Sequence, residues 1–552
     1  MTAGARAAAL GLLLAAATTL AAAVAPPASD DDRRAGERLY RDGLRADGSA
    51  LTARREPGLT VRGREAACIA CHRASGMGGA EGSTAVPPVV GAVLRTPGQP
   101  RGPRSGRVAA ALQREAAAAE ARPAYTPVLL QRALVHGIGA GGRAMDPLMP
   151  RYALDDDEVR QLGAYLDTLT IGTAPGHDGT TLHLATVVTT TTPDADRAAS
   201  ATLLARCLAE CSPPPGAPDT PAVPAWVLHE WTLGPDPHRW ADELATWQQR
   251  QPVFALVSGI TGPAGRGPWQ PLQAHCERER MPCLLPHTAA IDDELPSHWT
   301  FHFSRGVSQE AAAMAQHLIE QAPPAGWRHV RQLVAPDDEA ARIGARHLQQ
   351  HLTAAGLTVT ARAAAGDGVP ATLAALGPDD ALVLWLPPRT LQAMTQRHAA
   401  PPAAAVLVSG ELAGIDTPVI APTWWPALRL THPWDPAERH LPRLALNAGR
   451  WLARHDLPLA GDATRLRLQA HSYSTCEVAA SALRRMGARV GREHFLELVE
   501  SAEETATAVA YPRFTLGPGQ RHGSQGAWLM RIEPAADGTP RLRPVGERLT
   551  AP

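Results

Sequence analysis

Residues 66–78 read "AACIACHRASGMG", which sets Cys68 and Cys71 three apart with His72 directly after the second thiol. The chain holds only seven cysteines in 552 residues, so a pair at this spacing asks for a chemical reason. Two such thiols can cycle as a redox disulfide, supply half of a zinc site, or add to the two vinyl groups of a haem whose iron the next histidine ligates. The surroundings arbitrate. A thioredoxin-like pair wants a strand–helix–strand setting, whereas the flanking sequence reads as helical and loop-rich. A zinc site wants a second ligand pair close by, and the next cysteines, Cys207 and Cys211, fall in a different region. Cys-x-x-Cys-His therefore reads as a covalent attachment site for haem c, with His72 on one axial position of the iron. A single motif predicts a single haem.

A second axial ligand is then required, and a soft thioether there raises the potential for electron transfer. "GGRAMDPLMPRYALDDDEVRQLGAYLDTL" supplies Met145 and Met149. Met149 is the expected ligand, because it stands just before the last helix and Pro150 stiffens its loop. Three helices would carry these groups. "DDRRAGERLYRDGL" starts on acids, "YTPVLLQRALVHGI" has apolar residues at helical spacing and stops at Gly, and "LDDDEVRQLGAYLDTL" repeats both signals. A Pro/Gly/Arg loop interrupts them at 95–107. The Gly-rich stretch 171–180, "IGTAPGHDGT", reads as a linker after a first domain at 33–170.

The N-terminus points to where such a haem would be attached. "MTAGARAA" has Arg6 as its only charge, "ALGLLLAAATTLAAAVA" is apolar, and "PPASDDDRR" turns abruptly polar. This is the pattern of a secretory signal peptide over residues 1–25, with an uncleaved membrane anchor as the alternative. Either places the protein in the periplasm. All 53 basic residues are arginine, and the formal net charge is −1, so nothing in the charge pattern calls for a nucleic-acid partner.

Residues 181–552 alternate. Short β-rich runs, among them "TLHLATVVTTTT", "AWVLHEWTL", "PVFALVSGIT", "RHVRQLVAP", "DALVLWLPP", "AAVLVSG" and "TPVIAPT", are separated by amphipathic stretches such as "SQEAAAMAQHLIEQA". Near-continuously apolar strands alternating with helices predict parallel sheets covered on both faces. The length exceeds one comfortable core, so two α/β lobes are expected. Gly-x-Ser-x-Gly, phosphate-loop and His-Glu-x-x-His patterns are all missing, which favours electron transfer or binding over catalysis.

With "GERLYRDG", "CIACH", "GSTAVPPVVG" and "MPRYAL…VRQLGAYLDTL" in this order, residues 36–170 resemble a class I c-type cytochrome. The resemblance implies a small all-α domain with haem c held by Cys68 and Cys71, His72 as proximal ligand and Met149 as distal ligand. The remainder resembles a type I periplasmic binding protein of the branched-chain amino-acid receptor kind. "QPVFALVSGITGP…PWQPLQAHCERERMPCLLPHT", "HWTFHFSRGVSQEAAAMAQHLIEQ", "HSYSTCEVAASALRRMG" and "YPRFTLGPGQRHGSQGAWLMRIEP" carry it. This implies a solute held between two lobes, with Thr261 and Thr288 as binding hydroxyls. Trp424 and Trp425 would form either an aromatic shelf or lobe packing. No acidic partner for an ammonium group stands out, so amino-acid specificity is not implied. Cys276 and Cys283 can bridge in an oxidising compartment. Cys207 and Cys211, one helical turn apart, are either a bridge or two buried thiols, which leaves Cys476 over.

The expected protein is thus a periplasmic monohaem cytochrome fused to a solute-binding module. Its redox partner would be a periplasmic dehydrogenase or oxidase, and a small-molecule solute would occupy the lobes. Two other arrangements fit the same sequence: a receptor for a transporter or sensor with the haem as redox input, and an oxidoreductase subunit whose α/β part is a docking scaffold.

Overall fold

Ser29 and Asp155 begin two helices, Asp30–Arg41 and Asp156–Leu166, and each does so with a reciprocal capping box, to Asp32 and Glu158 respectively. Three acids in each first turn also suit the positive end of the helix dipole. These helices are seen in a computed structural model that describes residues 28–55, 58–81, 84–98, 122–214, 223–325, 329–400, 403, 405–414, 420–501 and 509–550. The segment expected to direct export, and most of the loop at 95–107, lie outside the described residues. The chain divides into two compact units, one of residues 1–71 and 91–169, the other of 72–90 and 170–552.

In the first unit the two capped helices pack face to face. Gly36 makes this possible, because a Cβ there would collide with the Gln161 carbonyl. Tyr40 and Tyr165 meet beside it with ring centroids 5.3 Å apart. A third helix, Pro127–His136, is capped by Thr126 and ends on Gly137. The unit is not purely helical as expected. Strands β1 (Thr52–Arg55) and β2 (Leu59–Arg62) form an antiparallel hairpin. After an excursion through residues 72–90, with the hairpin β3 (Gly79–Glu81) and β4 (Thr84–Val86), the two-residue β5 (Arg151–Tyr152) pairs with β1. Arg-rich strands of two to four residues show no apolar alternation long enough to read; only Ala53, Val61 and Tyr152 face inward.

The second unit holds two lobes. Lobe one is a parallel sheet in the order β10-β9-β8-β6-β7, from β6 (Thr181–Thr189), β7 (Ala225–Leu233), β8 (Ala255–Val257), β9 (Cys283–Leu284) and β10 (Thr300–Phe301). The chain then enters lobe two through helix Gly306–Ala325. Its sheet runs β12 (Thr358–Ala363), β11 (His329–Val334), β13 (Asp380–Trp385), β14 (Ala405–Ser409), β15 (Leu428–His432), then β16 (Trp528–Pro534) and β17 (Pro540–Pro544), the last two antiparallel. Between β15 and β16 the chain returns to lobe one, where helix Ala463–Met486 packs Val478, Ala479 and Leu483 into the same core as Leu182, Leu184 and Phe254. Three crossings therefore link the lobes. The strand-like run "TPVIAPT" is only partly described; from Ile420 it continues into a single 3-10 turn, and the strand follows at β15 instead. Pro422, at the head of that turn, brings no ladder donor.

Cys276 and Cys283 are bridged, as an oxidising compartment would allow. The other pairing differs from expectation: Cys476 is not left over but bridges Cys207, and Cys211 stays a thiol. The partner of Cys207 lies 269 residues away, on the helix that returns from lobe two, so sequence proximity pointed to the wrong sulfur. Trp424 and Trp425 are lobe packing. Their indole N–H groups donate to the carbonyls of His398 (2.9 Å) and Ile420 (3.0 Å).

Candidate functional site

The thiol pair sits at the start of a one-turn helix, Ile69–His72, that follows the 3-10 turn Gly63–Ala66. Cys68 is buried, which pushes its thiol up to about 12, and Tyr152 of β5 hydrogen-bonds to it. Cys71 is less enclosed and accepts from Arg55 at 3.6 Å. Both remain unbridged, whereas four of the other five cysteines form disulfides. Met149 and Met145 share one loop, pinned by Arg151, whose guanidinium donates to both of their carbonyls. Met149 N–H also closes a turn on the Asp146 carbonyl at 3.0 Å.

His72 is 5% exposed, and its Nδ1 lies 2.9 Å from the Pro87 carbonyl within the segment 72–90. A carbonyl accepts only, so Nδ1 carries the proton and Nε2 the lone pair, the tautomer an iron ligand needs. That hydrogen bond, together with two adjacent unbridged thiols, fits a covalently attached haem. Ser75 of the same segment donates its N–H (2.7 Å) and its hydroxyl to the buried carboxylate of Glu497, on helix Arg492–Glu500.

Between the lobes of the second unit the loops at the C-terminal ends of parallel strands converge, which is where ligands of open α/β sheets bind. The cleft there keeps a cavity of about 70 Å³, lined by Arg266, Thr288, Glu411, Arg467, His471 and Tyr511 among others. A larger cavity of about 660 Å³ shares Arg467 and lies against helix Ala437–Leu444 and the β16–β17 hairpin. Its wall is mostly apolar (Leu441, Leu444, Leu466, Leu542). Volume alone does not make a site; convergent buried polar groups do, and they are in the cleft.

Each cleft group is held from behind. Gly265, at φ +72°, lets the loop after β8 approach the His287 carbonyl, where a Cβ would stand 2.5 Å away, and so delivers Arg266. Arg467 lies over the Trp434 ring at 4.1 Å. His471 packs against both Phe303 (4.5 Å) and Tyr511 (5.2 Å), whose own rings lie 6.0 Å apart. Glu411 accepts from the Tyr511 hydroxyl at 3.2 Å, and its backbone N–H donates to Glu310 at 3.1 Å. The Glu310 carboxyl also receives Gly410 N–H (2.9 Å), Thr431 Oγ1 (2.9 Å) and Ser409 Oγ. Burial sets the charge states. It pushes His287 down to about 4 and His471 well below the usual imidazole range, so both are neutral. It raises Glu411 against the pull of Arg467 and Arg266, raises Glu310 to about 8 with Glu411 adding to it, and lowers Arg467 to about 10, still a cation at neutral pH.

Thr288 lines this cleft, and its hydroxyl accepts from Ala290 N–H at 3.1 Å. Thr261 stands behind it, fully buried. Its hydroxyl donates to the Pro268 carbonyl (3.0 Å) and its own carbonyl takes Gly267 N–H (2.7 Å), which closes the loop that presents Arg266. Arg266, Glu411, Arg467, His471 and Tyr511 escaped the sequence reading. Two of them had a signal: "GPAGRG" and "SGEL" each follow a parallel strand, which is where cleft residues come from. Glu411 also places on the cleft wall a carboxyl that the sequence reading did not single out.

Residues 62–170 match the Cytochrome c family. No curated protein matches the chain in sequence. Among solved structures the chain is similar to an ABC transporter substrate-binding protein of Aeropyrum pernix, with 13% identity, 68% of this chain and 96% of that one covered, and a TM-score of 0.50. One of Sphaerobacter thermophilus follows (16% identity, 67% and 98% covered, TM-score 0.49). So does a branched-chain amino acid ABC transporter protein of Thermus thermophilus with bound valine (13% identity, 67% and 96% covered, TM-score 0.47). At such identity the likeness concerns the fold alone, that of type I periplasmic binding proteins. Among the described residues no helix is long and apolar enough to cross a membrane.

Proposed function

We propose that this chain, a cytochrome c domain joined to a type I periplasmic binding protein fold, is an exported monohaem electron carrier whose second unit holds a small solute between its lobes. The observation that carries this is the pair of unbridged thiols followed by a carbonyl-oriented His72, at the head of the stretch that matches the cytochrome family. Haem c bound there supplies one-electron redox chemistry. Cys68 and Cys71 would hold it through their sulfurs, and His72 and Met149 would ligate its iron. The electron partner is a periplasmic dehydrogenase or oxidase. Acid–acetone treatment of the purified protein tests the attachment: the haem should stay on the polypeptide, and the double variant Cys68→Ala/Cys71→Ala should release it. Haem extracted freely from the unaltered protein refutes the reading.

A second role, a solute receptor with the haem as redox input, has one observation in its favour. Ser75, three residues past His72, is tied by two hydrogen bonds to Glu497 of the solute-binding fold. A midpoint potential that moves on solute binding selects this role, and a constant one selects plain electron carriage.

A further inference from the structure

We propose that Cys211 is the reactive thiol of a three-sulfur exchange site, through which a small dithiol reductant opens the buried Cys207–Cys476 bridge. This rests on that pairing and is independent of what the cleft binds.

Two packed helices place the sulfurs. Cys207 and Cys211 lie one turn apart on helix Leu203–Cys211, and Cys476 comes from helix Ala463–Met486. The three Sγ atoms all lie within 4.8 Å of one another. Glu210 accepts from Trp451 Nε1 (2.7 Å) and His455 Nε2 (2.9 Å), which pins the end of the first helix. Cys211, the next residue, sits beside Tyr473, about one turn before Cys476.

Exposure separates the roles. Cys207 and Cys476 are 3% and 0% exposed, so a dissolved thiol reaches neither end of the bridge unless the helices part. Cys211 is only half-buried and is the last residue of its helix. A thiol held beside a disulfide attacks it within the molecule, with proximity already supplied.

Geometry selects the sulfur that is attacked. Residues four apart on a helix keep their Cβ atoms about 5–6 Å apart. A disulfide needs about 3.5–4.5 Å between them. Joining Cys207 to Cys211 would therefore distort the helix, and attack at Cys476 avoids this. Cys211 loses its proton and its Sγ bonds to Cys476 Sγ. The Cys207–Cys476 bond breaks, and Cys207 leaves as a thiolate that takes up a proton. No electron is gained or lost in this step. The new Cys211–Cys476 bridge has one half-exposed end, where a dithiol attacks; the dithiol closes to a cyclic disulfide and leaves Cys211 and Cys476 as thiols, having given two electrons and two protons. Helix Ala463–Met486 also brings Arg467 and His471 to the cleft, so the anchor that holds it on lobe one becomes sensitive to thiols.

The test uses the full-length haem protein, oxidised and mapped first to verify the Cys207–Cys476 link. It is treated with dilute dithiothreitol under native conditions, quenched with iodoacetamide at intervals and mapped after cleavage at arginine. Loss of the bridge should be at least about tenfold slower in Cys211→Ala and Cys211→Ser than in the unaltered protein, because both remove the internal nucleophile. At early times the unaltered protein should show a species alkylated at Cys207 with Cys211 joined to Cys476. In Cys207→Ala the remaining two sulfurs should be found bridged. Equal rates of reduction in the parent and both Cys211 variants would overturn the proposal, as would a Cys207→Ala protein in which Cys211 and Cys476 are both alkylated. Should Cys207→Ala fail to fold, the rates of the Cys211 variants, which keep the native bridge, decide by themselves.

Discussion

Replacing both Cys207 and Cys476 by alanine tests the architecture of the second unit, because their bridge closes a loop of 269 residues that includes the whole first passage through lobe two. In the chain-entropy description, a loop of that length withholds about 19 cal/mol/K from the unfolded ensemble, or roughly 5–6 kcal/mol at 25 °C. Removed native bridges cost about 2–5 kcal/mol in practice, so about 4 kcal/mol is the expected loss. Both sulfurs are buried, at 3% and 0% exposure, and alanine leaves little polar penalty behind. For a unit of about 400 residues, at about 2.1 cal/mol/K of unfolding entropy per residue, this lowers Tm by about 5 °C. The assay is thermal and urea unfolding of the oxidised protein and the variant, followed by tryptophan fluorescence, with non-reducing peptide mapping after cleavage at arginine. The map should show the peptide starting at Cys207 joined to the one containing Cys476. Cys211→Ala should leave that link in place. A Cys476 peptide found unlinked and alkylated, or a double variant as stable as the parent, would refute the pairing and with it the packing of helix Ala463–Met486 on lobe one.

The haem site has its own discriminating pair. Met149→Ala should abolish the weak far-red band of a Met–Fe(III) bond and lower the midpoint potential, whereas Met145→Ala should keep both; the reverse pattern reassigns the ligand. Stability should fall in mild acid. His275 and His287 are held at about 4 by burial, so the unfolded chain takes up protons below about pH 6.5 that the folded chain refuses. Their contribution is intact above that pH and is lost towards pH 4, by about 1 kcal/mol per pH unit for each, and His287→Gln should flatten the urea-midpoint profile between pH 6 and 4.5 accordingly. Glu310→Ala strips the acceptor from Ser409, Gly410, Glu411 and Thr431, which should cost about 3 kcal/mol in urea unfolding and loosen Glu411 in the cleft. An unchanged unfolding midpoint would mean that water satisfies those donors.

What could be read from residues alone was local. Cys68-x-x-Cys71-His72 is chemistry written in adjacent positions, and Ser29 and Asp155 announce their helices within four residues. The parallel sheets were legible because both of their faces are buried, which leaves continuous apolar runs such as Ala381–Trp385. The β1–β2–β5 sheet was not, since its pairing of Ala53 with Tyr152 is made across some hundred residues by strands too short for a pattern. The same limit governs the sulfurs and the cleft. Cys207 has Cys211 one turn away, yet the returning helix brings Cys476 to it instead. Arg266, Glu411, Arg467 and Tyr511 come from four separate stretches and meet only because the chain crosses three times between lobes. A charge acquires its meaning from what faces it, and that depends on burial and crossing order, which no spacing along the chain records.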